Sequence, residues 1–146
     1  MRCINEMKLQ FLSRSANESF ARVSVASFAA QFDPTLEELS EIKTAVSEAV
    51  TNSIVHGYKN GLGIVYINAR LYEEGRIIIV IKDKGCGIDN IEQAMEPLYT
   101  SVDTGERAGM GFTIMQSFMD KLKVYSREGK GTRIVLEKRL SLKERK

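Results

Sequence analysis

Polar and apolar residues alternate through 7–13 (MKLQFLS), the period-two pattern of a strand buried on one face. The period then lengthens. Ser15 opens S-x-x-E with Glu18, a capping-box pattern that predicts a helix from near Ala16 to about Gln31. Its apolar residues fall on two sides: Phe20, Val23 and Ala30 on one, Val25, Phe28 and Phe32 on the other. A helix with so little polar circumference is expected to pack on two surfaces, one of which could belong to another chain. Pro34 marks the next boundary, and Thr35 with Glu38 forms a second capping-box pattern. Helical spacing then predicts a helix from about Leu36 to His56, ended by Gly57.

Two strands follow at 63–71 (GIVYINARL) and 76–82 (RIIIVIK), joined by the turn YEEG. Residues 90–108 offer few core positions and many turn formers, so a long functional loop is expected there. Helical spacing returns in GMGFTIMQSFMDKL, with Phe112, Met115, Phe118, Met119 and Leu122 on one side. KVYS and TRIVLEKR, linked by REGKG, predict a closing hairpin. The order is strand, two helices, hairpin, long loop, helix, hairpin. It predicts an α+β fold, a two-layer sandwich with helices on one face of a mainly antiparallel sheet.

Composition changes this picture little. At 146 residues the chain fits a single domain, 1–146, with a core over 7–138 and a solvated basic tail over 139–146. A net charge of +2 gives no reason to expect direct contact with nucleic acid or membrane. Cys3 and Cys86 are far apart with no C-x-x-C, and there is one histidine, so neither a disulfide framework nor a Cys/His metal site is expected. Without a leader-like segment or a run of about 20 apolar residues, the expected location is the cytoplasm.

Three clusters carry chemistry. Glu48, Asn52 and His56 recur every four residues, and in a regular helix each step drifts the line by about 40°. They therefore run along the margin of the apolar face, where a side chain can look into a cleft. Asp83 stands where an apolar strand ends, with Gly85 and Gly87 beyond it. A carboxylate there can accept a hydrogen bond from the amine of adenine, while glycines allow close backbone approach. An ordinary turn is the alternative. RAGMG, 107–111, leads into a helix, and free N–H groups at a helix start suit phosphate, or form a plain N-cap. Gly85 to Asn90 lacks the third glycine of a dinucleotide fingerprint. GKGT at 129–132 is not a Walker A ending, and positions 83–94 do not fit an EF-hand. With no H-R-D or D-F-G, an ordinary protein kinase is excluded.

Taken in order, Glu48-x3-Asn52-x3-His56, Asp83-x-Gly85-x-Gly87, Gly109-x-Gly111 and Gly131-Thr132 resemble the GHKL ATPase superfamily, the ATP-binding fold of gyrase, Hsp90 and histidine kinases. NESFARVSVASF, DPTLEELSEIKTAVSEAVTNSIVHGY and AGMGFTIMQSFMD narrow the likeness to the sporulation anti-sigma factors of endospore-forming bacteria, over about residues 5–138. Cys86 departs from the aliphatic residue expected between the glycines, a position where only backbone is expected to matter.

The resemblance implies an ATP-dependent protein-serine kinase that needs Mg2+, binds a sporulation sigma factor (sigma-F) and phosphorylates an anti-anti-sigma factor, as a homodimer. It implies that Asn52 holds Mg2+ through its amide oxygen and that Glu48 is the general base, the alternatives being a plain helix asparagine and a solvated glutamate. Asp83 and Thr132 would read adenine, with Gly85, Gly87, Ile88, Gly109, Met110 and Gly111 shaping the nucleotide site. Thr100, Ser101 and Arg107 would reach phosphates from a lid. His56 lines the pocket or caps the helix; Arg22 meets a partner or snorkels at a helix edge. The nearest alternatives are a stress-response anti-sigma kinase and a non-catalytic module gated by ATP. A histidine-kinase fragment is disfavoured because no phosphoacceptor helix precedes the ATP domain.

Overall fold

In the computed structural model, residues 2–59, 61–88, 91, 95 and 110–141 are described. Five strands form one antiparallel sheet: β1 (Cys3–Leu12), β2 (Ile64–Tyr72), β3 (Arg76–Asp83), β4 (Lys121–Arg127) and β5 (Gly131–Arg139). Their order is β1-β2-β3-β5-β4. Among the described residues three α-helices, α1 (Asn17–Ala29), α2 (Leu36–Thr51) and α3 (Gly111–Phe118), cover one face. That is the α+β sandwich expected from the pattern.

Strict alternation builds the core. Val65, Ile67, Ala69 and Leu71 of β2, Ile77, Ile79 and Ile81 of β3, and Ile134 and Leu136 of β5 all turn inward and are buried. Each fully buried Ile or Leu adds about 1.5–3 kcal/mol relative to exposure. Ala21, Val25, Phe28 and Ala29 of α1 and Ile42, Ala45, Val46, Ala49 and Val50 of α2 meet that face. α1 does have two apolar sides: Val25, Phe28 and Phe32 are buried, while Phe20 and Val23 remain half-exposed. Lys138 ties the layers together, its ammonium donating to the Phe118 carbonyl at 2.7 Å and standing 3.2 Å from Glu41.

The two capping boxes part company. Thr35 Oγ1 accepts from Glu38 N at 3.0 Å and Glu38 Oε1 accepts from Thr35 N at 2.9 Å, a complete reciprocal cap. Ser15 caps nothing with its side chain; the N-cap of α1 is Ala16, and Glu18 turns toward Arg22 instead, at 3.8 Å. The expected helix over 109–122 ends at Phe118, and Leu122 lies on β4. Asp120 enforces the stop: its N–H donates to Glu137 O and its Oδ2 accepts from Arg139 N, which pulls the chain onto β5.

α2 does not run regularly to His56. From Asn52 to Gly57 it widens into a π-helical turn, closed by Tyr58 N donating to Ser53 O at 2.9 Å. The 40° drift therefore holds from Glu48 to Asn52 but not onward to His56.

Candidate functional site

The wide turn is the key to the site because of what it faces. Ser53, fully buried, donates through Oγ to Asp83 Oδ2 at 2.8 Å. Gly85 N donates to Asp83 Oδ1 at 3.0 Å. An ionised carboxylate has about four acceptor positions, so these two donors, one on each oxygen, fix its plane and leave acceptor capacity to spare. Burial raises the Asp83 pKa above the ordinary aspartate value, and the Gly85 and Ser53 bonds, with the Thr132 backbone facing it, only partly offset this.

Glycines bring backbone against this carboxylate. A Cβ on Gly57 would stand 3.0 Å from the Asp83 carboxylate, and one on Gly85 would fall 2.1 Å from Gly57 O. Gly57 thus serves close approach rather than a left-handed helix end. Gly87 has φ +77°, and a Cβ there would meet Arg127 O at 2.2 Å. Gly131, at φ +113°, lies against Asp83 O in the same way.

Cys86 does more than lend its backbone. Its N–H donates to Gly57 O at 2.9 Å and its carbonyl accepts from Gly129 N at 2.7 Å. Its thiol lies 3.0 Å from His56 O, a carbonyl of the widened turn. The side chain thereby joins the glycine segment to α2, a role that spacing alone did not suggest.

The other expected residues fall as follows. Asn52 opens the wide turn, half-buried, and its amide makes no side-chain hydrogen bond among the described residues. Glu48 lies one turn earlier, buried, and is engaged by a neighbour. His56 is half-buried; burial and then Lys59 lower its pKa, which favours the neutral ring. Thr132 pairs in register with Asp83 across β3 and β5. Ile88 N donates to Ser126 Oγ at 2.7 Å. Met110 is the N-cap of α3, and its own side chain makes no cap bond to the first-turn amides beginning at Gly111. Thr100, Ser101, Arg107 and Gly109 lie outside the described residues. Arg22 sits half-exposed on α1, beside Ser19 Oγ at 3.4 Å, away from these elements.

Two residues of the pocket wall were missed in the sequence, Ser53 and Tyr58. Tyr58 Oη donates to Ile64 O at 2.8 Å and accepts from Lys84 N at 2.6 Å, joining the end of α2 to β2 and to the end of β3. No sequence signal marks Ser53: it follows Asn52 in the widened turn, and only the facing β3 gives it a partner.

A strand-end carboxylate, a glycine cradle and a helix start without a side-chain cap among the described residues, on one face of an antiparallel sheet, are the makings of a nucleotide pocket. The class is a histidine kinase-like ATPase domain, whose family model matches residues 11–138. Within it, the chain belongs to the anti-sigma F factor family. It is 59% identical to the anti-sigma F factor of Clostridium acetobutylicum over 96% of this chain and 97% of the relative. Identity to that of Clostridium beijerinckii is 58%, over 94% and 96%. The fold is shared more widely. The RsbU and RsbW domains of a Mycobacterium tuberculosis protein superpose with TM-score 0.71 at 18% identity, covering 97% of this chain and 33% of that one. The catalytic domain of histidine kinase ThkA gives 0.58 at 16%, covering 92% and 96%.

Proposed function

We propose that this chain binds Mg·ATP between the wide turn of α2, the end of β3 and the β4–β5 turn, and uses it to phosphorylate a serine of an anti-anti-sigma protein. It also holds a sigma-F-type sigma factor and works as a homodimer. The observation that carries the nucleotide reading is Asp83, buried and fixed by a donor on each oxygen with acceptor capacity to spare. That capacity suits the amine of adenine and disfavours guanine, which offers a carbonyl there.

The residues present fit the metal. Among the described residues no three His, Cys, Asp or Glu side chains gather as a cage. Mg2+ needs none, since it keeps waters and phosphate oxygens and takes one or two protein oxygens. Asn52, with its amide unengaged among the described residues, would be that protein ligand. When bound, Mg·ATP supplies the phosphoryl group and shields its charge. Glu48 would take the proton from the attacking serine hydroxyl. The amides at the start of α3 would receive phosphate oxygens.

The partners rest on the family name and on α1. Phe20, which stacks edge-on against Phe11 with ring centroids 6.3 Å apart, and Val23 expose apolar surface beside the free edge of β1, which supports self-association.

A second reading is an ATP-gated binder without transfer. Only 5% of Glu48 is exposed, a poor position for meeting a protein hydroxyl unless the site rearranges. Intact-mass analysis with Mg·ATP and the anti-anti-sigma protein separates the two. One added phosphate with wild type, none with Glu48→Gln and equal ATP affinity in both is the expected result. No transfer by wild type that binds ATP leaves the binder.

A further inference from the structure

Thr132 does not stand alone at the pocket. Its Oγ1 is 2.8 Å from Ser126 Oγ, directly across the β4–β5 ladder. Ser126 is also the acceptor for Ile88 N at 2.7 Å and lies 3.1 Å from Gly131 O. One hydroxyl thus touches the exit of the glycine segment, the turn before β5 and the threonine beside Asp83.

A serine hydroxyl has one proton and two lone pairs. The Ile88 amide can only donate, so it occupies one lone pair. The Ser126 proton then has two destinations. If it goes to Gly131 O, Thr132 must give its own proton to Ser126 and presents only lone pairs to the pocket. If it goes to Thr132 Oγ1, the Thr132 proton is free to point at a ligand. The two arrangements select opposite partners. The one donor on the adenine base, its amine, is matched to Asp83, and its ring nitrogens are acceptors. Guanine carries a ring N–H donor.

We infer that Ser126 is a positioning residue for nucleotide choice: it relays the Ile88 amide through Thr132, so that Thr132 donates to an adenine ring nitrogen. The chain Ile88 N–H, Ser126 O–H, Thr132 O–H runs in one direction, and each bond polarises the next. Ser126 touches no nucleotide itself. This deepens the ATP reading above and rests on it.

Titration calorimetry of the full chain with ATP and with GTP, in Mg2+, tests it. Ser126→Ala is expected to weaken ATP about five- to tenfold, the worth of one oriented hydrogen bond, and to leave GTP unchanged, so the ATP:GTP preference falls by the same factor. Ser126→Thr, which keeps the hydroxyl, returns the preference to within about twofold. In a Thr132→Val background, Ser126→Ala changes ATP affinity less than about twofold, because the relay has lost its last member. Thermal melts of each variant register any loss of fold, which would weaken both nucleotides alike. Equal weakening of both, or effects that multiply in the double variant, overturns the relay. Should Ser126→Ala not fold, the preference of Ser126→Cys, a weak donor of similar size, decides in its place: an unchanged preference overturns the relay. Wild type that binds no ATP removes the nucleotide reading itself; wild type that binds ATP while Ser126→Ala keeps its preference removes only the relay.

Discussion

Asp83 concentrates two opposite demands in one side chain. Burial favours its neutral form, while Ser53 and Gly85 donate to the charged one, and burial wins. Its folded pKa therefore lies above the unfolded value. Its contribution to stability is present at low pH and lost as pH rises through the folded value. ATP affinity runs the other way, because the carboxylate accepts an amine hydrogen bond best when ionised. We expect the Asp83 carboxyl resonance to titrate above the ordinary aspartate range, and saturating ATP to move it down. Affinity should weaken as pH falls through that value. An Asp83 that titrates normally, or is unmoved by ATP, contradicts the assignment. Ser53→Ala removes one of its two donors. It should cost about 1–2 kcal/mol in urea unfolding and raise the Asp83 pKa further. Ser53 was invisible in the sequence because a serine after Asn52 on an apolar helix has no signature; only the strand facing it gives it a partner.

At the scale of elements, the glycines divide by what surrounds them rather than by φ. Gly87 and Gly129 both have φ +77°, but a Cβ on Gly87 strikes Arg127 O while one on Gly129 meets nothing within 4 Å. Alanine at 129 should cost only the left-handed penalty, about 1–2 kcal/mol. Alanine at 87 adds overpacking of about 1–3 kcal/mol and should also reduce ATP affinity. Equal losses in chemical denaturation would show that the β4–β5 turn yields freely. The strands were legible because alternation and one buried face leave a single register. Thr35 and Glu38 were legible for the same local reason. Ser15 and Glu18 present the same letters without the cap, and the difference is tertiary: Asn17 Nδ2 donates to Leu12 O at 2.9 Å and holds the chain into a tight entry from β1. The widening at Asn52–Gly57 was illegible as well, since its cause is distant. Asp83 and Cys86 arrive from β3: Cys86 N and its thiol take up Gly57 O and His56 O, and Asp83 accepts from Ser53 Oγ.

On the whole molecule the proposed nucleotide site lies at one end of the sheet, and α1 carries an exposed apolar pair of its own. Phe20 and Val23 are 51% and 57% exposed, and Phe20 packs edge-on against Phe11 of β1. Val23→Glu should convert a dimer to monomer in light scattering while leaving ATP affinity unchanged. A dimer mass that survives this change and Phe20→Glu together would place the interface elsewhere. The layered architecture followed from the sequence pattern, and four short motifs in order pointed to the site. The closeness of the segments at 53–57, 83–87 and 129–132 had to be supplied by the fold.

One bridge has an optical consequence. The chain contains five tyrosines and no tryptophan. Tyr58 alone among the described tyrosines has its phenol tied at both ends of the pocket wall, to Ile64 O and Lys84 N, and burial raises its pKa. Near-ultraviolet absorption and phenolate titration therefore observe that junction without an indole background. The difference in phenolate titration between wild type and Tyr58→Phe then records whether the end of β3 shifts against α2 when nucleotide enters.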